Sequence, residues 1–330
     1  MDHWPKVELH LHLDCSLSYD VVKRLDPAVS REDFENDFIA PAKCTSLADF
    51  LTRAPRGFQL MQTETALRLV CEDLFAQLQA DNVIYVEIRF APLLHILRGL
   101  TAEKVVEVVE RSTAECARAT GIEARLILCT LRHFSQAESL ETARLVEQFR
   151  DSGVAALDLA GDEAGFPIDA HIAAYRLAIE QGLFRTVHAG EASGPESVWQ
   201  TLRAFEPSRI GHGIRSVEDP SLVEHLRETS IHLEVCPTSN VQTCVCYEYK
   251  DHPIELLRNA GISMGISTDA RTITNITLRE EYRKLASFFG WSSQEFLKCN
   301  LDAINAAFAS NRVKDRIRSH LTSGYAETIR

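Results

Sequence analysis

Residues 7–16 read VELHLHLDCS, with two histidines two apart inside an otherwise apolar run. Successive side chains of a strand point to opposite faces. Val7, Leu9, Leu11 and Leu13 therefore share one side, and Glu8, His10, His12 and Asp14 share the other. Leucines suit a wall covered by helices, whereas imidazoles and carboxylates turned inward need partners or an ion. Seven further apolar runs follow, at 82–92, 123–132, 154–160, 184–189, 209–212, 232–236 and 262–268. Amphipathic stretches separate them, among them 102–118, 137–151, 168–181, 196–205, 218–228 and 252–259, with apolar residues at three- and four-residue spacing. Alternating strand and helix units imply a parallel sheet. Eight of them predict an α/β architecture, a closed (β/α)8 TIM barrel, with an open doubly wound sheet as the alternative. Segment 14–81 is too long for a plain strand-to-helix connection, so extra helices inserted after strand 1 are expected to cover one end of the barrel. No linker, low-complexity tract or internal repeat divides the chain, and residues 1–330 read as one barrel domain.

The bulk numbers narrow the function classes. The chain has 330 residues, 45% hydrophobic and 25% charged, an ordinary globular composition. Lys plus Arg number 35 against 47 Asp plus Glu, a net charge of −12. So acidic a chain is ill suited to clamp a phosphate backbone, and no nucleic-acid partner is expected. Nine scattered cysteines, an odd number, fit reduced thiols better than a disulfide framework. The opening MDHWPKVELH lacks the basic-then-apolar pattern of a signal peptide, and no apolar run approaches the roughly 18–20 residues of a membrane span. A cytoplasmic protein with no membrane partner is expected; the oligomeric state is left open.

In such a barrel, reactive groups gather at the C-terminal ends of the strands. The polar residues collect there: His10, His12 and Asp14 after the first run, DLAGDE (158–163) after the fourth, HAGE (188–191) after the fifth. GHG (211–213), CPTSN (236–240) and STDAR (267–271) follow the last three. His10 and His12 share one face and reach one ion. With His188 and Asp269 they assemble the open ligand set of a catalytic zinc, which lowers the pKa of a bound water to about 7. Two other metal patterns fit less well. HLEVCPTSNVQTCVC offers His232, Glu234, Cys236, Cys244 and Cys246, but not in the H-x-E then P-C-x-x-C order of the cytidine-deaminase type, and its cysteines read as core or loop thiols. A two-metal site bridged by a modified lysine has no lysine at an inner strand end. Taken alone, Glu191 also suits the first turn of the helix after it, and His212 a satisfied core position between two glycines.

Together, KVELHLHLD (6–14) with CSL after it, LDLAGDE, TVHAGE, RIGHG, EVCPTSN and STD resemble the adenosine/AMP deaminase family of metal-dependent barrel hydrolases, in that family's order and spacing across residues 6–269. The resemblance implies one zinc ion per chain held by His10, His12, His188 and Asp269. It implies Glu191 as the acid that protonates N1 of the purine, and His212 as the base that orients the attacking hydroxide at C6, with ammonia released. It places the Gly161 N–H against purine N3 and Asp14 against the ribose 5′-hydroxyl. Relatives acting on free adenine tend to carry glutamate at the position of Asp14, and some acting on methylated AMP carry asparagine, so aspartate points to a purine nucleoside.

The expected activity is deamination of adenosine to inosine. Alternatives are a deaminase of a 5′-modified or acidic adenosine derivative such as aminodeoxyfutalosine, and an inactive nucleoside-binding barrel. Three departures from the family pattern fall on the substrate pocket: Ala270 for a second aspartate, Cys15 for glycine, and Ala54-Pro55-Arg56-Gly57 in a lid helix that usually presents aromatic residues. Proline and glycine are expected to shorten or kink that helix. Arg56 and Arg271 are candidates to receive an acidic substituent, or else are solvated surface charges.

Overall fold

The computed structural model describes residues 1–326. Eight strands, β1 (Lys6–His12), β2 (Val83–Phe90), β3 (Glu123–Leu131), β4 (Val154–Ala160), β5 (Phe184–Ala189), β6 (Arg209–His212), β7 (His232–Val235) and β8 (Met264–Ile266), lie side by side in chain order. Each pairs in parallel with the next. The ring closes between β1 and β8, where Asp269 N donates to His10 O (3.0 Å) and His12 N to Asp269 O (2.8 Å). This is the expected (β/α)8 barrel.

β4, β5 and β6 match the apolar runs that announce them, whereas other strands stop before theirs. β1 stops at His12, and Leu13–Cys15 form a 3-10 turn. The run 262–268 contains only three strand residues. Beyond the last ladder bonds the backbone turns over the mouth of the barrel, which is where its polar side chains are delivered.

Segment 14–81 supplies the extra helices: Tyr19–Leu25, Arg31–Asp37, Leu47–Leu51 and Ala54–Phe58 precede the long helix Glu64–Ala80. The lid stretch is broken into two five-residue pieces, as the proline requires. Pro55 has no N–H to continue the first piece, yet fits the first turn of the second.

The barrel interior carries charge. Glu8, Glu87, Arg89, Asp158, Arg209 and Glu234 are fully buried, and buried ions persist only when paired. Arg89 bonds Asp158 (2.9 Å) and Glu234 (2.6 Å), while Arg209 bonds Glu234 (2.7 Å) and Glu87 (2.6 Å). Among the described residues, no helix is long and apolar enough to cross a membrane.

Candidate metal centre and active site

The barrel mouth gathers His10, His12, His188 and Asp269 so closely that one ligand atom from each lies within 4.8 Å of all the others. His10 Nε2 is 3.2 Å from Asp269 Oδ1, His12 Nε2 is 3.5 Å from the same oxygen, and His12 and His188 face each other Nε2 to Nε2 at 3.2 Å. The groups behind the rings explain this convergence. His10 Nδ1 meets Glu234 Oε2 at 3.0 Å and His188 Nδ1 meets Asp158 at 3.2 Å. A carboxylate at Nδ1 keeps the proton there and turns the Nε2 lone pair toward the centre, the arrangement by which imidazoles present themselves to a metal. Ser239 Oγ donates to Asp269 Oδ2 (2.7 Å). His10 Nε2 is buried with no hydrogen-bond partner among the described residues. Buried lone pairs that converge without donors fit a cation, so the donor set suits a metal of the zinc type.

Sequence reading missed Glu234 and Asp158 as supports of the ligands. The signal was present, since each is a lone acid inside a buried strand, HLEV and VAALDLA, on the inward alternation. It also missed Glu163, whose carboxylate accepts from Gly190 N (2.7 Å), Glu191 N (3.0 Å), Ser193 N (2.9 Å) and Ser197 Oγ (2.5 Å). That one side chain fixes the loop carrying Glu191.

Glu191 and His212 face each other across the cavity, with His212 Nε2 3.5 Å from Glu191 Oε2. Burial, with the charges of Asp269 and Glu163 nearby, raises the Glu191 carboxyl well above its usual range. That direction favours the protonated form, which a proton donor needs. Burial drives the His212 imidazole the other way, and the neighbouring His10 adds to it. The His212 ring is anchored at its back: Ile254 N donates to His252 Nδ1 (3.1 Å), His252 Nε2 meets Asn240 Oδ1 (3.2 Å), and Asn240 Nδ2 meets His212 Nδ1 (3.1 Å). His212 (φ 61°) and Asp269 (φ 65°) both sit in the left-handed region, uncommon without glycine. Glycine is required beside them, because a Cβ on Gly211 would lie 3.0 Å from the His10 ring.

Asp14 lies on the outer side of the ligands, its Oδ2 accepting from Ala91 N at 3.2 Å, and burial pushes its carboxyl up to about 6. Gly161, at φ +98°, lines the same cavity as the ligands, Glu191 and His212. Ala270 and Cys15 line it too, so both departures do fall on the pocket. The two arginines do not. Arg271 is buried and bonds Glu8 (2.7 Å) and Asp81 (2.8 Å), and Arg56 pairs with Asp37 on the outer surface of the inserted segment. The lid rests directly on the site: a Cβ on Gly57 would lie 2.5 Å from Asp14 O.

Comparison with known proteins agrees with this geometry. The family model described as Adenosine deaminase matches residues 5–323. An adenosine deaminase of Clostridium acetobutylicum is 34% identical over 317 residues, covering 94% of this chain and 95% of its own length. One from Clostridium botulinum is 35% identical over 324 residues, 96% of each. Among solved structures, the adenine deaminase of Arthrobacter aurescens superimposes with a TM-score of 0.89 at 26% identity, covering 97% of this chain and 98% of its own. A structure described as the ADAL–IMP complex gives 0.88 at 25% identity, covering 99% and 98%.

Proposed function

The chain belongs to the adenosine deaminase family and is a hydrolytic deaminase converting adenosine and water to inosine and ammonia, and we propose that it does so with one zinc ion held by His10, His12, His188 and Asp269. The observation that carries this reading is the convergence of those four side chains at the barrel mouth, where His12, His188 and Asp269 line one cavity with Glu191 and His212. When bound, zinc supplies a water acidic enough to be deprotonated near neutral pH. Glu191 gives its proton to ring nitrogen N1, which makes the amino-bearing carbon electrophilic. His212 stands on the side from which the water attacks and orients it. The Gly161 N–H meets the far edge of the ring and Asp14 holds the sugar. Residues 1–330 act as one barrel domain, of which the last four lie outside the described residues, and the cellular site is the cytoplasm. A small-molecule purine is the partner.

The test is an ultraviolet assay of the zinc-loaded protein with adenosine, run beside a chelated sample and Glu191→Gln. Turnover lost in both controls is expected. Zinc bound at one per chain with purine affinity but no turnover would leave a nucleoside-binding barrel. Absence of zinc binding would remove the metal assignment.

A further inference from the structure

The deaminase reading leaves open what the 5′ carbon of the substrate carries, and the inference here rests on that reading. With Glu191 at one edge of the ring and the Gly161 N–H at the other, the sugar lies on the Asp14 side of the site. There the inner cavity shares His12, Cys15, Leu51, Ala160 and Gly161 with an adjoining chamber of about 440 Å³. That is far more space than one hydroxyl group fills. Ala54, Pro55 and Phe58 of the lid form its roof, and Leu94, Cys129 and Leu131 form its floor.

Among the described residues no lysine or arginine lines the chamber; its polar side chains are the acids Asp14 and Asp162, with His12, His133 and Thr52. The guanidiniums nearby are tied elsewhere: Arg53 to Asp49, Arg56 to Asp37, Arg271 to Glu8 and Asp81. Arg132 donates to the backbone carbonyls of His188 and Phe166. An anion entering the chamber would lose water, meet the like charge of Asp14 and Asp162 and find no permanent cation, with only imidazoles to set against them. An apolar group would gain contact with Leu51, Pro55, Phe58, Leu94 and Leu131.

We propose that this chamber receives an uncharged, apolar substituent on the 5′ carbon. The preferred substrates are then 5′-deoxy-adenine nucleosides bearing a thioether or alkyl group, and 5′-phosphates are refused. Burying a methylthio group gains more than is lost with the hydroxyl's hydrogen bond to Asp14, a net of about tenfold in kcat/KM, and forcing a phosphate into a chamber without lysine or arginine costs at least about a hundredfold.

The experiment compares kcat/KM of the zinc-loaded enzyme on adenosine, 5′-deoxy-5′-(methylthio)adenosine, 5′-deoxyadenosine and AMP, in the wild type and in Thr52→Lys, which adds a cation at the exposed rim of the chamber. The expected order is thioether above adenosine by about tenfold and AMP lowest, with Thr52→Lys raising the ratio of AMP to thioether by about tenfold. AMP as fast as the thioether, or adenosine faster than the thioether, would overturn the inference while leaving the deaminase reading standing. An unchanged ratio in Thr52→Lys would overturn the placement of the 5′ group in this chamber. No turnover of any of the four compounds by zinc-loaded wild type would bring down the deaminase reading, and the inference with it.

Discussion

Glu191 has to hold a proton at neutral pH and give it to a ring nitrogen, and its surroundings decide whether it does. Its carboxyl is buried, faces two further carboxylates, and is raised well above the ordinary range. Glu191→Gln keeps the shape and a hydrogen-bond donor but has no proton to transfer, so kcat is expected to fall by about 10²–10⁴ with zinc content unchanged. A drop of less than tenfold in steady-state assays would remove Glu191 from the acid role. Three other histidines set a different pH dependence. Burial lowers His95 to about 4 and His232 and His252 to about 3. Unfolded, each would take up a proton near pH 6.5, so below that value the unfolded chain binds more protons and stability drains away as pH falls. Each contributes about 1.4 kcal/mol per pH unit between its two values. The melting temperature is therefore expected to drop markedly from pH 7.5 to pH 5, and a flat profile by scanning calorimetry would refute this.

At the level of elements, the lid and the turn after the first strand are fitted to each other by the absence of a side chain. Helix Ala54–Phe58 approaches the Asp14 carbonyl so closely that the Cβ of an alanine at Gly57 would intrude at 2.5 Å. The neighbour there is backbone and cannot swing away. Gly57→Ala is expected to lift the lid, raise KM for nucleoside substrates by about tenfold and cost roughly 1–3 kcal/mol of stability. Unchanged KM and unchanged melting would show that the lid does not rest on the site. The break in the lid was legible in the sequence, because proline and glycine act locally. The fate of Arg271 was not: its partners, Glu8 and Asp81, are far away in the chain, and no local pattern announces that the three meet beneath β1.

For the molecule as a whole, the centre sits on the seam that closes the barrel. Asp269 offers an oxygen to the proposed zinc and also supplies both backbone bonds that join β8 to β1. Loss of the ion should therefore be felt beyond the site. With free zinc at a thousand times its dissociation constant, binding stabilises the fold by about 4 kcal/mol. Chelation is expected to lower the melting temperature by several degrees, and zinc to restore it, with equal melting curves as the refuting result. The eight strands could be read from the sequence because their pattern is repetitive, and the four side chains that gather at the mouth could be picked out because inward polar residues stand out against leucine and valine. The ladder of Glu87, Arg89, Asp158, Arg209 and Glu234 could not be paired in advance, since its members come from four different strands and only closure of the ring brings them together.

The anchoring of His212 carries a direction. The Ile254 amide can only donate, so the His252 nitrogen it meets must accept, and the opposite nitrogen of that neutral ring bears the hydrogen. Asn240 is then oriented with its oxygen toward His252 and its amide toward His212, whose near nitrogen must accept in turn. One backbone amide at the start of a surface helix thus fixes the tautomer of a ring inside the barrel. In this neutral form His212 offers a hydrogen to the oxygen in front of it, which suits orienting that oxygen, and it can act there as the expected base only after giving that hydrogen up.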